Sequence, residues 1–300
     1  MDEHTTEGVM EWEAGSTWFR LVGDQHREGR APLVILHGGP GAPYDYLEPL
    51  TALAQMGPRA CLFYDQIGCG RSQHMPDAPP DFWTVELFCR ELSALLEHVG
   101  FAERYHVLGQ SWGGMLAMEH AVTQPAGLRS LVIANSPASI ALWVQEANRL
   151  RGLLPEDVQE TLREHEAAGT TASDEYEQAM MCFYERHLCR VVPFPEPLQR
   201  TFAQLARDPT VYHTMNGPSE FHVIGTLRSW DITPRLGEVR VPALVISGEH
   251  DEATPAVVRP LVEALPDVRW ELFVGASHST HLEQPERFLQ LVARFLDEHD

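Results

Sequence analysis

Tyr105-His106-Val107-Leu108-Gly109-Gln110-Ser111-Trp112-Gly113-Gly114 reads as a short apolar run that ends on a serine bounded by glycines. Residues 105–108 predict a strand, and residues 114–123, which stop before Pro125, predict a helix. Gly109-x-Ser111-x-Gly113 therefore falls on a sharp strand-to-helix turn, where crowding of the backbone is relieved only by residues without a Cβ. Such a turn holds a serine hydroxyl above the edge of a sheet, and the helix behind it presents its N-terminus to an oxyanion forming there. G-x-S-x-G by itself is a weak pattern; its place between strand and helix is what points to a nucleophile.

Outward from the turn, strands and helices alternate. Met10 to Val22 suggests a hairpin with its turn at Ala14-Gly15-Ser16, and residues 32–36, 60–64 and 128–134 suggest further strands. Residues 84–99 carry Val85, Phe88, Leu92, Leu95, Leu96 and Val99 at helical spacing and stop at Gly100. This alternation implies a mostly parallel sheet with right-handed crossovers. The pattern then breaks. Residues 136–231 are acidic and aromatic, with helices expected over 150–166, 174–189 and 198–206. Strands resume at 241–247 and 268–274, and a helix over 285–296 closes the chain. The expected organisation is one α/β domain of the α/β-hydrolase fold, 1–135 plus 232–300, its sheet flanked by helices, with a helical cap, 136–231, inserted over the site.

A serine hydroxyl needs a base, and this fold orders its triad Ser…Asp/Glu…His. Asp251 follows the 241–247 strand through Gly248-Glu249-His250, and His278 follows the 268–274 strand through Gly275-Ala276-Ser277. Both stand at strand C-terminal ends, where sites form in open α/β sheets. Ser111, Asp251 and His278 are thus the expected triad. Glu249 competes as the acid but lies nearer the strand end, and His281 competes as the base but falls at a helix start. His37-Gly38-Gly39-Pro40-Gly41 follows the third strand and lets backbone approach a substrate closely. The amides of Gly39 and Trp112 are the candidate oxyanion hole. A phosphate loop is the competing reading, and it fails because no G-K-[ST] follows. Asp65-Gln66-Ile67-Gly68-Cys69-Gly70-Arg71-Ser72 is read as a loop shaped by an Asp65–Arg71 pair beneath the site.

Composition narrows the chemistry. All 22 basic residues among the 300 are arginine, which excludes a Ser–Lys dyad or a Schiff-base lysine. A formal charge of −21 disfavours nucleic acid and anionic membrane as partners. No apolar run approaches the roughly 20 residues that span a bilayer, and Met1-Asp-Glu-His shows no apolar signal core. The five cysteines are scattered without metal-ligand spacing, so a reduced, cytoplasmic setting is expected.

Taken together, the His37-Gly-Gly-Pro-Gly41 loop, Asp65 to Ser72, Gly109-Gln-Ser-Trp-Gly-Gly114 and Gly248-Glu-His-Asp-Glu-Ala-Thr-Pro255 resemble the proline iminopeptidase family of serine aminopeptidases. The likeness runs from about Ala31 to Phe288. Met215-Asn-Gly-Pro-Ser-Glu-Phe221 and Ser229-Trp-Asp-Ile-Thr233 are similar to the branch holding the tricorn-interacting aminopeptidase of archaea and amino-acid amidases. In that branch two glutamates bind the free amine of the substrate, and the matching positions are Glu220 and Glu252. Glu252 adjoins Asp251, so it belongs at the mouth of the site, where a cationic amine leaving water needs carboxylate partners. The resemblance implies hydrolysis of short peptides or amino-acid amides with a free N-terminal amine, releasing proline or another apolar residue through an acyl-enzyme. It implies no cofactor and no metal. Trp143, Phe183, Tyr184 and Tyr212 are either pocket lining or cap core. The alternatives are an esterase or amidase acting on small substrates that lack the amine, which the two glutamates argue against, and a non-catalytic binding protein, which the intact triad argues against.

Overall fold

The computed structural model describes residues 5–24, 29–57 and 59–300; the Met1-to-His4 stretch lies outside the described residues. Its strands are β1 Thr5–Trp12, β2 Gly15–Val22, β3 Leu33–Leu36, β4 Cys61–Tyr64, β5 Tyr105–Gln110, β6 Leu128–Ala134, β7 Ala243–Gly248 and β8 Val268–Phe273. They form one eight-stranded sheet in the order β1-β2-β4-β3-β5-β6-β7-β8. β2 is antiparallel to both β1 and β4, and every other neighbouring pair is parallel. This is the architecture read from the alternation of strand and helix signals.

The central strands are buried on both faces, as a parallel sheet covered by helices requires. Alternate residues feed two cores. Val34, Val107 and Val245 point to one face, while Ile35, Leu108 and Ile246 point to the other. The helix Val85–His98 lays Leu87, Phe88, Leu92 and Leu95 against the first core, and Thr84 caps it by accepting from the Leu87 amide at 3.2 Å. The helix Trp112–Val122 is buried nearly all round, because it lies directly on the sheet. Among the described residues no helix is long and apolar enough to cross a membrane.

Between β6 and β7 the chain runs through the helices Ile140–Arg151, Glu156–Ala168, Asp174–His187, Glu196–Arg207 and Thr210–Met215. The segment leaves and rejoins the sheet at one seam. Ser139 bridges Asp231, the Ile140 amide donates to the Trp230 carbonyl at 3.0 Å, and the Ile232 amide donates to the Ala138 carbonyl at 3.0 Å. The helix expected over 150–166 is in fact two. Pro155 lacks an amide proton and disfavours helical backbone at Leu154, so the chain breaks over Gly152-Leu153-Leu154 before restarting at Glu156.

The insertion is tied to the loops that follow β3, β7 and β8. The Tyr46 amide donates to Thr201 Oγ1 at 3.0 Å, and Thr201 Oγ1 donates to the Pro43 carbonyl at 3.1 Å. His187 accepts from the His278 amide at 3.0 Å through its carbonyl, and its ring Nδ1 donates to the His250 carbonyl at 2.8 Å. The helix Asp174–His187 therefore grips both loops that follow β7 and β8.

Candidate active site

Ser111 follows β5 with φ 55° and ψ −123°, a positive φ that a residue with a side chain rarely adopts. The surroundings hold it there. Its amide donates to the Ala134 carbonyl at 2.9 Å, and its carbonyl accepts from Ser136 Oγ and the Gly114 amide, both at 2.8 Å. A Cβ on Gly109 would collide with the Gly113 carbonyl, and one on Gly113 would collide with the Leu36 carbonyl. The two glycines of the motif thus allow the helix to sit against the strands it leaves, and backbone strain is concentrated at the serine between them.

His278 is buried, and its Nδ1 lies 2.8 Å from Asp251 Oδ1. A carboxylate accepts, so Nδ1 carries the proton and Nε2 is left as an acceptor. Asp251 is almost fully enclosed and saturated. Its Oδ1 also accepts from the Ala253 amide at 2.8 Å, and its Oδ2 accepts from Asn135 Nδ2 at 2.6 Å and the Gly248 amide at 3.3 Å. Asn135 is held in turn, donating also to the Ser277 carbonyl at 3.2 Å and accepting from Thr280 Oγ1 at 2.8 Å. Asn135 escaped the sequence reading, because an asparagine after β6 carries no motif; its positive φ of 52° is visible only in the fold.

The competing residues stand elsewhere. His281 Nε2 donates to the Tyr46 carbonyl at 3.1 Å, and its ring is packed against Phe288. Glu249 accepts from the Gly275 amide at 2.8 Å on the exposed side of the loop. Asp65 does pair with Arg71 at 2.9 Å, and Arg71 also reaches Asp45 at 3.0 Å.

The loop after β3 is stitched to the segments that carry Ser111 and His278. The Gly38 amide donates to Tyr46 Oη at 2.7 Å, Tyr46 Oη donates to Gln110 Oε1 at 2.5 Å, and Gln110 Nε2 donates to the His278 carbonyl at 3.1 Å. Trp112 Nε1 donates to Gln66 Oε1 at 2.8 Å, and Gln66 Nε2 donates to the His37 carbonyl at 3.0 Å. Gly39 and Trp112 meet Ser111 at the wall of one small pocket. None of this chain of partners was read from the sequence.

Glu220 and Glu252 come to the same place from different parts of the chain. Glu252 is fully buried, its Oε1 lies 3.7 Å from His278 Nε2, and neither of its carboxylate oxygens has a hydrogen-bond partner. Burial first, then the charges of Glu220 and Asp251, push its carboxyl well above the usual carboxylate range. Burial also raises Glu220, opposed by a 2.6 Å hydrogen bond donated by Tyr212 Oη and by the nearness of His278. The Glu220 backbone is fixed by Trp143 Nε1, which donates to its carbonyl at 2.7 Å, and by Tyr184 Oη, which accepts from its amide at 3.3 Å.

A cavity of about 640 Å³ opens on Ser111, His278 and Glu220 and is lined on its far side by the insertion. Tyr184 and Tyr212 line it. Trp143 instead packs edge-on against the His278 ring at 5.6 Å between centroids, and Phe183 belongs to the interior of the insertion. Among the described residues no cluster of three or more His, Cys, Asp or Glu side chains is arranged to hold a metal ion. An enclosed serine that lines the same cavity as a carboxylate-oriented histidine suits acyl transfer, and the unpartnered carboxylate suits a cation.

A family model described as the alpha/beta hydrolase fold matches residues 31–285. The proline iminopeptidase of Lactobacillus delbrueckii subsp. lactis is 36% identical over 297 residues, covering 98% of this chain and 99% of that protein. The crystal structure of VinJ superposes with a TM-score of 0.96 at 51% identity, covering 98% of this chain and 99% of VinJ. That of a proline iminopeptidase from Mycobacterium smegmatis superposes with a TM-score of 0.91 at 50% identity, covering 98% of each chain.

Proposed function

The chain belongs to the alpha/beta hydrolases and, within them, to the proline iminopeptidase family, and on that premise we propose a serine aminopeptidase that releases an N-terminal proline or another apolar residue from short peptides or amino-acid amides. The reading includes a division of labour between a sheet-bearing body, 1–135 and 232–300, and a cap, 136–231. It places the enzyme in the cytoplasm, in keeping with five cysteines that are all unpaired.

Ser111 Oγ attacks the first carbonyl as its proton passes to His278 Nε2. Asp251 orients the ring and stabilises the imidazolium. The amides of Gly39 and Trp112 receive the oxyanion. The C–N bond then breaks as His278 returns the proton to the leaving amine. Water attacks the acyl-enzyme with His278 again as base, which frees the amino acid and restores the Ser111 hydroxyl. Glu220 and Glu252 hold the substrate's ammonium throughout.

The observation that carries the reading is the bare Glu252 carboxylate. A buried carboxylate without a hydrogen-bond donor is costly, and this one lies at the Nε2 side of the histidine, where the first residue of a substrate would sit. An ammonium supplies the missing donors and separates the charges of Glu220 and Glu252. The test is a two-by-two comparison of wild type with Glu220→Gln or Glu252→Gln, on a prolyl amide and on nitrophenyl acetate, which has no amine. A charge-assisted hydrogen bond contributes about 1.5–3 kcal/mol, so kcat/KM on the prolyl amide should fall roughly 10- to 150-fold. The ester should be nearly unaffected. N-acetylation of the amide should abolish its turnover by wild type. Equal losses on both substrates, or ready cleavage of the N-acetylated amide, would overturn the amine-binding role.

A further inference from the structure

Two cavities meet at Ser111, and they are very unequal. The larger holds about 640 Å³. The smaller, lined by Trp112, Met115, Ile140, Trp143 and Leu227, holds about 10 Å³, close to the room one water needs. Both include Ser111, Gly39 and Glu220 in their walls. A substrate whose ammonium is held at Glu220 and Glu252 cannot continue past its amine. It has only two parts left to house, the side chain of the acyl residue and the leaving group. Resting on the aminopeptidase reading above, we propose that the leaving group fills the large cavity and is a bulky, uncharged, apolar amine, and that the acyl residue is compact.

Size is the first reason. A cavity of this volume suits a whole drug-sized ligand, far more than one amino-acid residue. Surface chemistry is the second. Met180, Met181, Leu188, Leu198 and Leu205 line it, and Phe194, Phe202 and Tyr184 make a continuous aromatic wall, with centroids 5.9 Å and 6.1 Å apart along the row. Charge is the third. No arginine is found among the described residues that line the cavity, whereas Glu177 and Glu220 are. The C-terminal carboxylate of a released dipeptide or single amino acid would find no arginine in this space and, apart from His278, only His213, which burial pushes toward its neutral form, inside a protein of formal charge −21. A neutral hydrocarbon or ring system meets no such cost and gains by leaving water.

The test uses the full chain and a set of amides whose amines have nearly equal basicity, so that intrinsic reactivity is constant. Prolyl propylamide, hexylamide and decylamide should show kcat/KM rising at least tenfold from propyl to hexyl, since each buried methylene is worth roughly three- to fourfold. Prolylglycine, with its free carboxylate, should be cleaved at least tenfold more slowly than prolylglycinamide. Leucyl and tryptophyl propylamides should be no better than prolyl propylamide. Leu205→Arg, a half-buried position at the far side of the cavity, should shrink the hexyl-to-propyl ratio and narrow the prolylglycine deficit. Turnover that is independent of amine length, faster cleavage of prolylglycine, or gains that follow the acyl side chain would each overturn the proposal while leaving the aminopeptidase intact. Failure to cleave any amine-bearing amide, with esterase activity retained, would defeat the aminopeptidase reading instead.

Discussion

Asp251 and Glu252 are consecutive and both buried, yet the floor that holds the first and the wall beside His278 Nε2 that holds the second treat them differently. On the floor, Asp251 accepts from Asn135, Gly248, Ala253 and His278. On the wall, Glu252 accepts from nothing. The same contrast holds around them. Gly38, Tyr46, Gln110 and the His278 carbonyl form one connected chain of hydrogen bonds, whereas Glu220 has a single phenolic donor on its carboxylate. Groups that must keep their geometry are saturated by the scaffold. On the proposed reading, groups that meet the substrate are left short of partners, a shortage that binding relieves.

The harshest way to break the comparison is to remove the nucleophile from the saturated floor. Ser111→Ala should lower kcat by roughly 10⁴-fold or more on amide and ester alike, with an unchanged melting temperature or a slightly higher one, because alanine at φ 55° carries the same backbone strain. Near-wild-type turnover by a folded Ser111→Ala protein would show that the triad is misassigned.

A milder cut falls on the support of Asp251. Asn135→Ala removes one of its four donors and should cost about 10- to 100-fold in kcat on both substrate types, with KM little changed. This is the signature of a positioning residue, because the amine and the ester depend equally on the orientation of His278. A loss confined to the amine-bearing substrate would place Asn135 with the wall instead.

The smallest expected effect sharpens the wall. Glu252 is pushed up by burial, Glu220 and Asp251, and it faces His278 and Tyr184. Below its raised pKa the carboxyl is neutral and cannot hold an ammonium; that grip is gained as pH rises through the raised value. The acid limb of kcat/KM on a prolyl amide should therefore lie at higher pH, or be steeper, in wild type than in Glu252→Gln. With nitrophenyl acetate the two profiles should coincide, since only the triad is reporting. Identical acid limbs on the amide would mean that Glu252 does not titrate in the free enzyme.

Much of this site was legible before any coordinates. Strand and helix signals around Gly109 to Gly114 located the turn because its signature is local, an apolar run ahead of a serine bounded by glycines, even though the atom that leaves no room for a Cβ at Gly113 is the distant Leu36 carbonyl. Asp251 and His278 could be named because each follows a strand of a sheet whose order constrains where its loops end up. Glu220 was reachable only through resemblance, since its approach to Glu252 depends on how the insertion folds back. The break at Pro155 was missed because 150–166 was read as one helix without weighing the proline inside it, which the backbone cannot ignore.

What the sequence by itself determined is the order of elements, a serine on a strand-to-helix turn, and an aspartate and a histidine after later strands as its candidate partners. These rest on periodicity, on glycine and proline patterns, and on residue types at strand ends, all of which can be read from a few neighbouring residues. The saturation of Asp251, the bareness of Glu252, and the large and small cavities that share Ser111 were decided only by the tertiary structure. Those features depend on contacts between residues about 80 to 120 positions apart, such as Trp143 with Glu220 and Asn135 with Asp251, and no local pattern encodes which buried groups the packing will pair and which it will leave alone.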